Sequence, residues 1–359
     1  MKAHRWTMVS NAALAAMLLI AAACAPAAAP SPTAPPAAPT TAPATVPPAA
    51  PTTAPTTAPS AAGAQVKANK NYTIGSMVWN TSIPFYSNFI KGQQDTAKAT
   101  GVTLDLQNGN GDLATQVAVI QQFIAKKVDL IIVTPSDAQG IVPIIKQANQ
   151  AGIPVIAANN RVGEGADLVT FVGADDKEFG KMQGQLLVKA IGNKGNVALV
   201  LGALGTSAQI LRQQGLTEFL KDYPDIKIVA QQTADWDNAK ALSVVQDLLN
   251  KYPKGQLDAI IDQGPEGANA AKYAFDNGRT DVKFLMGDYP ADVRSGIQAG
   301  YIYGTVDQDP LPQGVAAVQL GVLWLNGQKD KVPAPNDYLP LPIVTKDNVE
   351  QYPAAWGGS

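Results

Sequence analysis

From about residue 70 onward, short continuous apolar runs alternate with stretches whose apolar residues recur at helical spacing. YTIGSMVW (72–79), VTLDLQ (102–107), DLIIVTP (129–135), PVIAAN (154–159) and LVTFVG (168–173) read as strands. Between them, Phe85, Phe89 and Ile90 predict one helix, closed near Gly101. Val117, Ile120 and Ile124 predict another, capped by Asp112. Ile141, Ile144, Ile145 and Ala148 predict a third, ended by Gly152. The alternation restarts after Asp175. A helix through Phe179, Met182 and Leu186 leads to the strand NVALVLG (196–202) and a helix around Arg212 to Leu220. KIVAQQ (227–232), a helix carrying Ala241, Val245 and Leu248, DAIIDQ (258–263), a helix through Ala270 and Tyr273, and KFLMGD (283–288) follow. The strands are apolar throughout rather than at every second position. Such strands are buried on both faces, as in parallel sheets covered by helices. Roughly 290 residues of this pattern exceed what one core holds, so the chain predicts two doubly wound, Rossmann-like α/β lobes.

The N-terminal end has a different pattern. Lys2 and Arg5 precede an apolar run from Ala12 to Ala23, too short to span a bilayer. Residues 1–23 therefore read as a signal peptide. Cys24, the chain's one cysteine, cannot form an internal disulfide and stands where small residues end. That arrangement resembles a bacterial lipobox, with Ala21 where leucine is usual, and predicts lipidation of Cys24. Residues 24–66 are almost wholly Pro, Ala, Thr and Ser. This composition buries no core and predicts a disordered, extended stalk. The folded part is thus expected to work outside the cytoplasm, tethered to a membrane but not in it.

Composition then removes whole classes of chemistry. The formal net charge is −2, and loss of Lys2 and Arg5 with the leader makes the rest more acidic, which disfavours nucleic acid as a partner. The one histidine, His4, lies in the leader. Without histidine, and with its cysteine committed to lipid, the folded part has no Ser-His-Asp or Cys-His nucleophile and no His/Cys metal site. No enzyme activity, cofactor or metal is expected. RVGEGADL (161–168) lacks the last glycine of a dinucleotide fingerprint.

What remains is a distribution of polar residues. In open α/β sheets, ligands bind beyond the carboxyl ends of strands. Here strand after strand ends in hydrogen-bonding side chains: Thr134, Ser136 and Asp137; Asn159, Asn160 and Arg161; Thr206; Asp235 and Asp237 around Trp236; Gln263; Asp288; Asp307 and Gln308. Ser136, Asp137 and Thr206 read rather as helix caps or turn residues. Taken together the set predicts a polar cleft. Planar groups with several donors and acceptors suit vicinal hydroxyls, and aromatic faces suit the C–H face of a sugar ring. Trp236, Phe85 and Tyr86 supply such faces.

At these residues the chain resembles the type I periplasmic sugar-binding proteins of ABC transporters, the ribose-binding group. IPFYSNFIKG, IIVTPSDAQGIVPIIKQANQAGIPVI, GTSAQILRQQGLTEF, TADWDNAKALSVVQDLL and VDQDPLPQG match that family in order and spacing. The resemblance implies a hinge crossed three times, near Ala174, Gln308 and Asn336. The lobes would be 67–174 with 309–336, and 175–308 with 337–359. It implies ligand contacts at Phe85, Tyr86, Arg212, Trp236, Asp288 and Gln308. Asn159, Asn160 and Arg161 replace the family's Asp-Arg pair, Gly264 replaces an asparagine, and Ile83 replaces another. Tryptophan at the stacking position resembles the glucose- and xylose-binding members. The expectation is a monomeric, lipid-anchored receptor that captures an uncharged aldopyranose, glucose or xylose first, and delivers it to an ABC permease. A receptor that reports a sugar or sugar-like autoinducer to a sensor protein is the alternative.

Overall fold

The structure, a computed structural model, describes residues 66–357. The leader, Cys24 and residues 25–65 of the Pro/Ala/Thr tract lie outside the described residues.

The first lobe begins β1 (Thr73–Val78), α1 (Pro84–Thr100), β2 (Thr103–Asn108), α2 (Leu113–Lys126), β3 (Leu130–Val133), α3 (Val142–Gln150), β4 (Val155–Ala158), β5 (Thr170–Gly173). The chain then enters a second lobe with α4 (Asp176–Ile191), β6 (Lys194–Leu201), α5 (Ser207–Phe219), β7 (Asp225–Thr233) and α6 (Asn238–Lys251). That lobe continues through β8 (Ala259–Asp262), α7 (Ala268–Asp276), β9 (Lys283–Gly287), α8 (Ala291–Ala299) and β10 (Gly304–Val306). It returns to the first lobe for α9 (Pro310–Leu325) and β11 (Asn336–Tyr338), and ends in the second with β12 (Ile343–Thr345).

Each lobe is built on one six-stranded sheet, ordered β11-β5-β4-β3-β1-β2 and β12-β10-β9-β8-β6-β7. All pairings of these strands are parallel except β10 with β12. Every residue of β3, β4, β5 and β8 is buried, as continuous apolar runs require, whereas the edge strands β2 and β7 are partly exposed. One face of the first sheet packs with Phe89 of α1 and with Val318, Leu320, Val322 and Leu323 of α9. The other packs with Ile120 and Phe123 of α2 and Ile144 and Ile145 of α3. The second sheet is covered likewise by α6, α7 and α8 on one face and by α4 and α5 on the other. In each sheet the strand order reverses beside the first strand of the lobe, between β1 and β3 and between β6 and β8. The carboxyl ends of strands at these reversals are the expected ligand-facing edges.

The chain passes between sheets after β5, after β10 and after β11. The last passage lies between Tyr338 and Ile343, later than the expected boundary near Asn336, because β11 itself pairs in parallel with β5. β11 reads NDY, a polar three-residue edge strand with no apolar run to mark it.

Candidate functional site

A cavity of about 360 Å³ opens between the lobes at the carboxyl ends of their strands. Both lobes line it: Phe85, Tyr86, Asn159 and Asn160 come from the first, and Arg212, Trp236 and Asp288 from the second. Gln308 lines it from the passage between β10 and α9.

Arg212 is fixed before any ligand arrives. It projects from α5 and is 2% exposed. Its Nε donates to Asp176 Oδ1 at 2.9 Å and its Nη1 to the Gln263 carbonyl at 2.6 Å. Nη1 also lies 3.7 Å from Asp288 Oδ1, and the guanidinium stacks 3.8 Å from the centre of the Phe179 ring. The approach of α4 to α5 that allows this depends on Gly180, where a Cβ would stand 2.0 Å from the Arg212 carbonyl oxygen. Burial raises the pKa of Asp176, against the pull of Arg212. Burial pushes Asp288 up to about 6, with Arg212 and then a Gln308 hydrogen bond pulling the other way.

Behind these groups a hydrogen-bonded chain runs from the first lobe to the crossing. The Tyr86 hydroxyl donates to Asn159 Oδ1 at 2.8 Å, and Asn159 Nδ2 donates to Gln313 Oε1 at 3.1 Å. Gln313 Nε2 donates in turn to Gln308 Oε1 at 3.1 Å. Burial holds the Tyr86 phenol neutral by raising its pKa, so it remains a donor. Asn160 Nδ2 donates to the Pro135 carbonyl at 3.0 Å.

Trp236 stands on an unusual backbone. Asp235 and Trp236 take φ of 54° and 60°, just before Asp237 caps α6. Asn159 and Asp288 also have positive φ, at 61° and 60°. Left-handed conformations cost L-residues roughly 1–2 kcal/mol each, and such strain gathers at functional sites. The turn lays the indole against Gly202, where a Cβ would come within 1.9 Å of the ring, and against Gly264, at 2.8 Å. Gly264, the departure from the family asparagine, is therefore room for the tryptophan.

Arg161 is a correction: the structure does not bring it to the cavity. With Asn159 in a left-handed turn, the third residue after β4 turns toward the hinge strands. Its guanidinium lies 3.8 Å over the Phe171 ring and donates to Asn336 Oδ1 at 2.9 Å and the Tyr338 hydroxyl at 2.7 Å. Other polar strand ends serve the fold. Thr206 and Asp137 accept from backbone amides at the starts of their turns, and the Ser136 amide and hydroxyl both donate to Gln116.

The sequence reading missed other parts of the wall. Trp79 follows β1, and its ring centre lies 6.1 Å from that of Tyr86. Trp356, in the C-terminal segment, meets Phe85 edge-to-face at 5.3 Å while bridging to Pro290 of the other lobe. Glu266, in the turn after β8, also lines the cavity. Trp79 reads as the last residue of a strand and Trp356 lies beyond the predicted elements, so only their chemistry could have marked them.

A model of the periplasmic binding protein domain matches residues 74–329, well over half of the chain. The chain belongs to the periplasmic binding protein family. It is a type I periplasmic sugar-binding protein with the two-lobed α/β fold, from a family of extracytoplasmic binders rather than enzymes. It is 29% identical over 290 residues to the xylitol-binding protein of Mycolicibacterium smegmatis, covering 80% of this chain and 81% of that one. It is 29% identical to the ribose import binding protein of Escherichia coli K12, covering 76% and 90%. A solved ABC transporter solute-binding protein from Bacillus halodurans with bound myo-inositol superposes with a TM-score of 0.73 at 27% identity, covering 81% and 98%. One from Burkholderia graminis in complex with D-arabinose gives 0.72 at 27%, covering 78% and 97%.

Proposed function

We propose that this protein captures an aldopyranose, glucose or xylose foremost, in the cleft between its lobes and delivers it to an ABC permease. The observation that carries the reading is the pairing of aromatic faces with fixed polar groups around one small cavity. Trp236 and Phe85 flank a space whose wall also holds Arg212, Asp288, Asn160 and Gln308. A pyranose offers apolar C–H faces to the first pair and an equatorial rim of hydroxyls to the second set. The relatives' ligands support the chemical class: xylitol, ribose, myo-inositol and D-arabinose are all small polyhydroxylated molecules. A sugar acid fits poorly, because Arg212 is the one cationic side chain on the wall among the described residues and already faces Asp176 and Asp288.

The test is a thermal-shift screen of pentoses, hexoses and polyols, followed by calorimetry. A ligand present at about 100 times its Kd stabilises the folded state by roughly 2.7 kcal/mol, a readily measured rise in Tm. Glucose or xylose should head the ranking. If only acyclic or furanose ligands raise Tm, the aldopyranose reading fails.

The same reading makes the receptor a monomer held to the membrane by lipid on Cys24. Replacing Cys24 with serine should release the protein from membranes and abolish its labelling by fatty acid, with an unchanged Tm. Equal labelling of both forms would refute the anchor.

A further inference from the structure

The segment after β12 adds a piece of wall that neither sheet provides. Val349 sits in the core of the second lobe, and the Tyr289 hydroxyl lies 3.3 Å from the carbonyls of both Val349 and Tyr352. Beyond that point the chain runs beside residues 289–291. The Ala355 amide donates to the Tyr289 carbonyl at 2.9 Å, and the Ala291 amide donates to the Trp356 carbonyl at 3.0 Å. Ala291 opens α8, whose first amides have no partner within the helix, and Pro290 before it supplies no side-chain cap. The Trp356 carbonyl fills that role. Residues 355 and 356 are thus fixed to the second lobe by main-chain bonds that do not involve the indole.

The indole belongs to the other lobe. It is buried in the apolar cluster of the first lobe and meets Phe85 edge-to-face at 5.3 Å. Asn88 Nδ2, one turn further along α1, donates to the Ala355 carbonyl at 2.9 Å. The segment therefore spans from the start of α8 to the start of α1. Trp356 and Gly357 line the cavity together with Pro84 and Phe85 from one lobe and Pro290 and Ala291 from the other. Elsewhere the lobes meet directly. The Ala138 amide donates to the Gly205 carbonyl at 3.2 Å, and the Arg161 amide donates to Ser207 Oγ at 2.7 Å. At the α1–α8 side a third piece of chain bridges the gap.

We infer that Ala355–Gly357 is a strap across the cleft, and that Trp356 is a ligand-contacting residue that limits the site to a single sugar ring. This rests on the aldopyranose reading of the cleft. The cavity of about 360 Å³ lies near the small end of the roughly 300–1,000 Å³ usual for ligand sites. A glycosidic extension directed toward α1 and α8 runs into the indole. The strap also ties occupancy to closure. Its backbone travels with the second lobe while its indole is packed in the first, so separating the lobes pulls Trp356 from Phe85 and exposes it to water. A sugar held against both rings opposes that separation and leaves more slowly.

The test is calorimetry on the full chain and on Trp356→Ala and Trp356→Phe. The probes are D-glucose, D-xylose, methyl α- and β-D-glucopyranoside, maltose and cellobiose. The parent should prefer a monosaccharide to either disaccharide by about a hundredfold or more. Trp356→Ala should bind that monosaccharide about tenfold or more weaker, and its preference over at least one glycoside or disaccharide should narrow by about tenfold. Trp356→Phe should recover most of both. In stopped-flow measurements the loss should appear as faster release rather than slower capture. The preference is a ratio within one preparation, so partial unfolding of a variant does not alter it. A fall in affinity with an unchanged preference would make the indole structural only and overturn the size limit. If Trp356→Ala keeps both affinity and preference, the inference fails and the aldopyranose reading survives. If the parent binds no aldopyranose, that reading fails, and the effect of Trp356→Ala on whichever of D-ribose, xylitol and myo-inositol binds decides the inference. If none of these binds, both fail.

Discussion

Trp236 occupies a backbone conformation that a bulky side chain ordinarily avoids, and the strain is tolerated because Gly202 and Gly264 leave a slot for its ring. The ring held in that slot lines the cavity. Trp236→Ala should therefore weaken sugar binding by about 2–4 kcal/mol, since truncation loses the stacking area and admits water. Calorimetry with the tightest ligand measures it, and unchanged affinity would rule out the stacking geometry. The buried acids give a second expectation. In the ligand-free fold Asp288 and Asp262 keep protons up to about pH 6 and 7, whereas their unfolded counterparts lose them near the ordinary aspartate value. The folded state then binds more protons than the unfolded state over that range, so stability is greatest on the acid side and falls as pH rises through 6 and 7. The ligand-free Tm should be lower at pH 8 than at pH 5, and Asp262→Asn should narrow the gap. A Tm that climbs across that interval would contradict the assignment.

Among the elements, the α4–α5 contact sets the position of Arg212. A methyl group at Gly180 would stand 2.0 Å from the Arg212 carbonyl, and one at Gly215 would stand 1.9 Å from the Lys177 carbonyl. Gly180→Ala must push the helices apart, at a cost of about 1–3 kcal/mol in folding stability, and it should weaken ligand binding as well because Arg212 moves. Urea unfolding and calorimetry on one preparation check both; a loss confined to stability would show that Arg212 is not positioned by this contact. The buried strands were legible in the sequence because two covered faces demand apolar residues at every position. α9 was not, because it is apolar nearly all round and its helical period is blurred. β10, β11 and β12 have three residues each, too few to show any period. The cavity wall divides the same way. Trp236 and Asp288 follow strands closely, where polar residues stand out against apolar runs, whereas Arg212 lies inside α5 and only the family resemblance marked it. Glu266 lies in a turn whose neighbouring glycine read only as a loss, and Trp356 reaches Phe85 through a fold that brings the chain's far end across the cleft. Arg161 misled because its distance from a strand end says nothing of which way a left-handed turn sends it.

At the scale of the whole molecule, the cavity exists only where two lobes face each other, and its hydrogen-bonded chain runs from Tyr86 in one lobe to Gln308 at the crossing. A ligand that contacts both lobes favours the arrangement in which they are nearest, so saturation should shift the population toward closure. Small-angle scattering should then show a smaller radius of gyration with sugar than without, and an identical profile at saturation would exclude a hinge response. The interleaved path of the chain bears on an earlier stage of the protein's life. The first sheet needs β11 at its edge, and α9 must pack against α1, yet both are synthesised after nearly all of the second lobe. A ribosome that has released residues 66–173 has made most of a lobe but not the helix that seals one side of it. The apolar surface of β1, β3 and α1 must wait for more than a hundred further residues, at synthesis rates of about 5–20 residues per second. The first lobe therefore cannot be completed before nearly all of the second has been made, and the fold cannot assemble lobe by lobe in chain order.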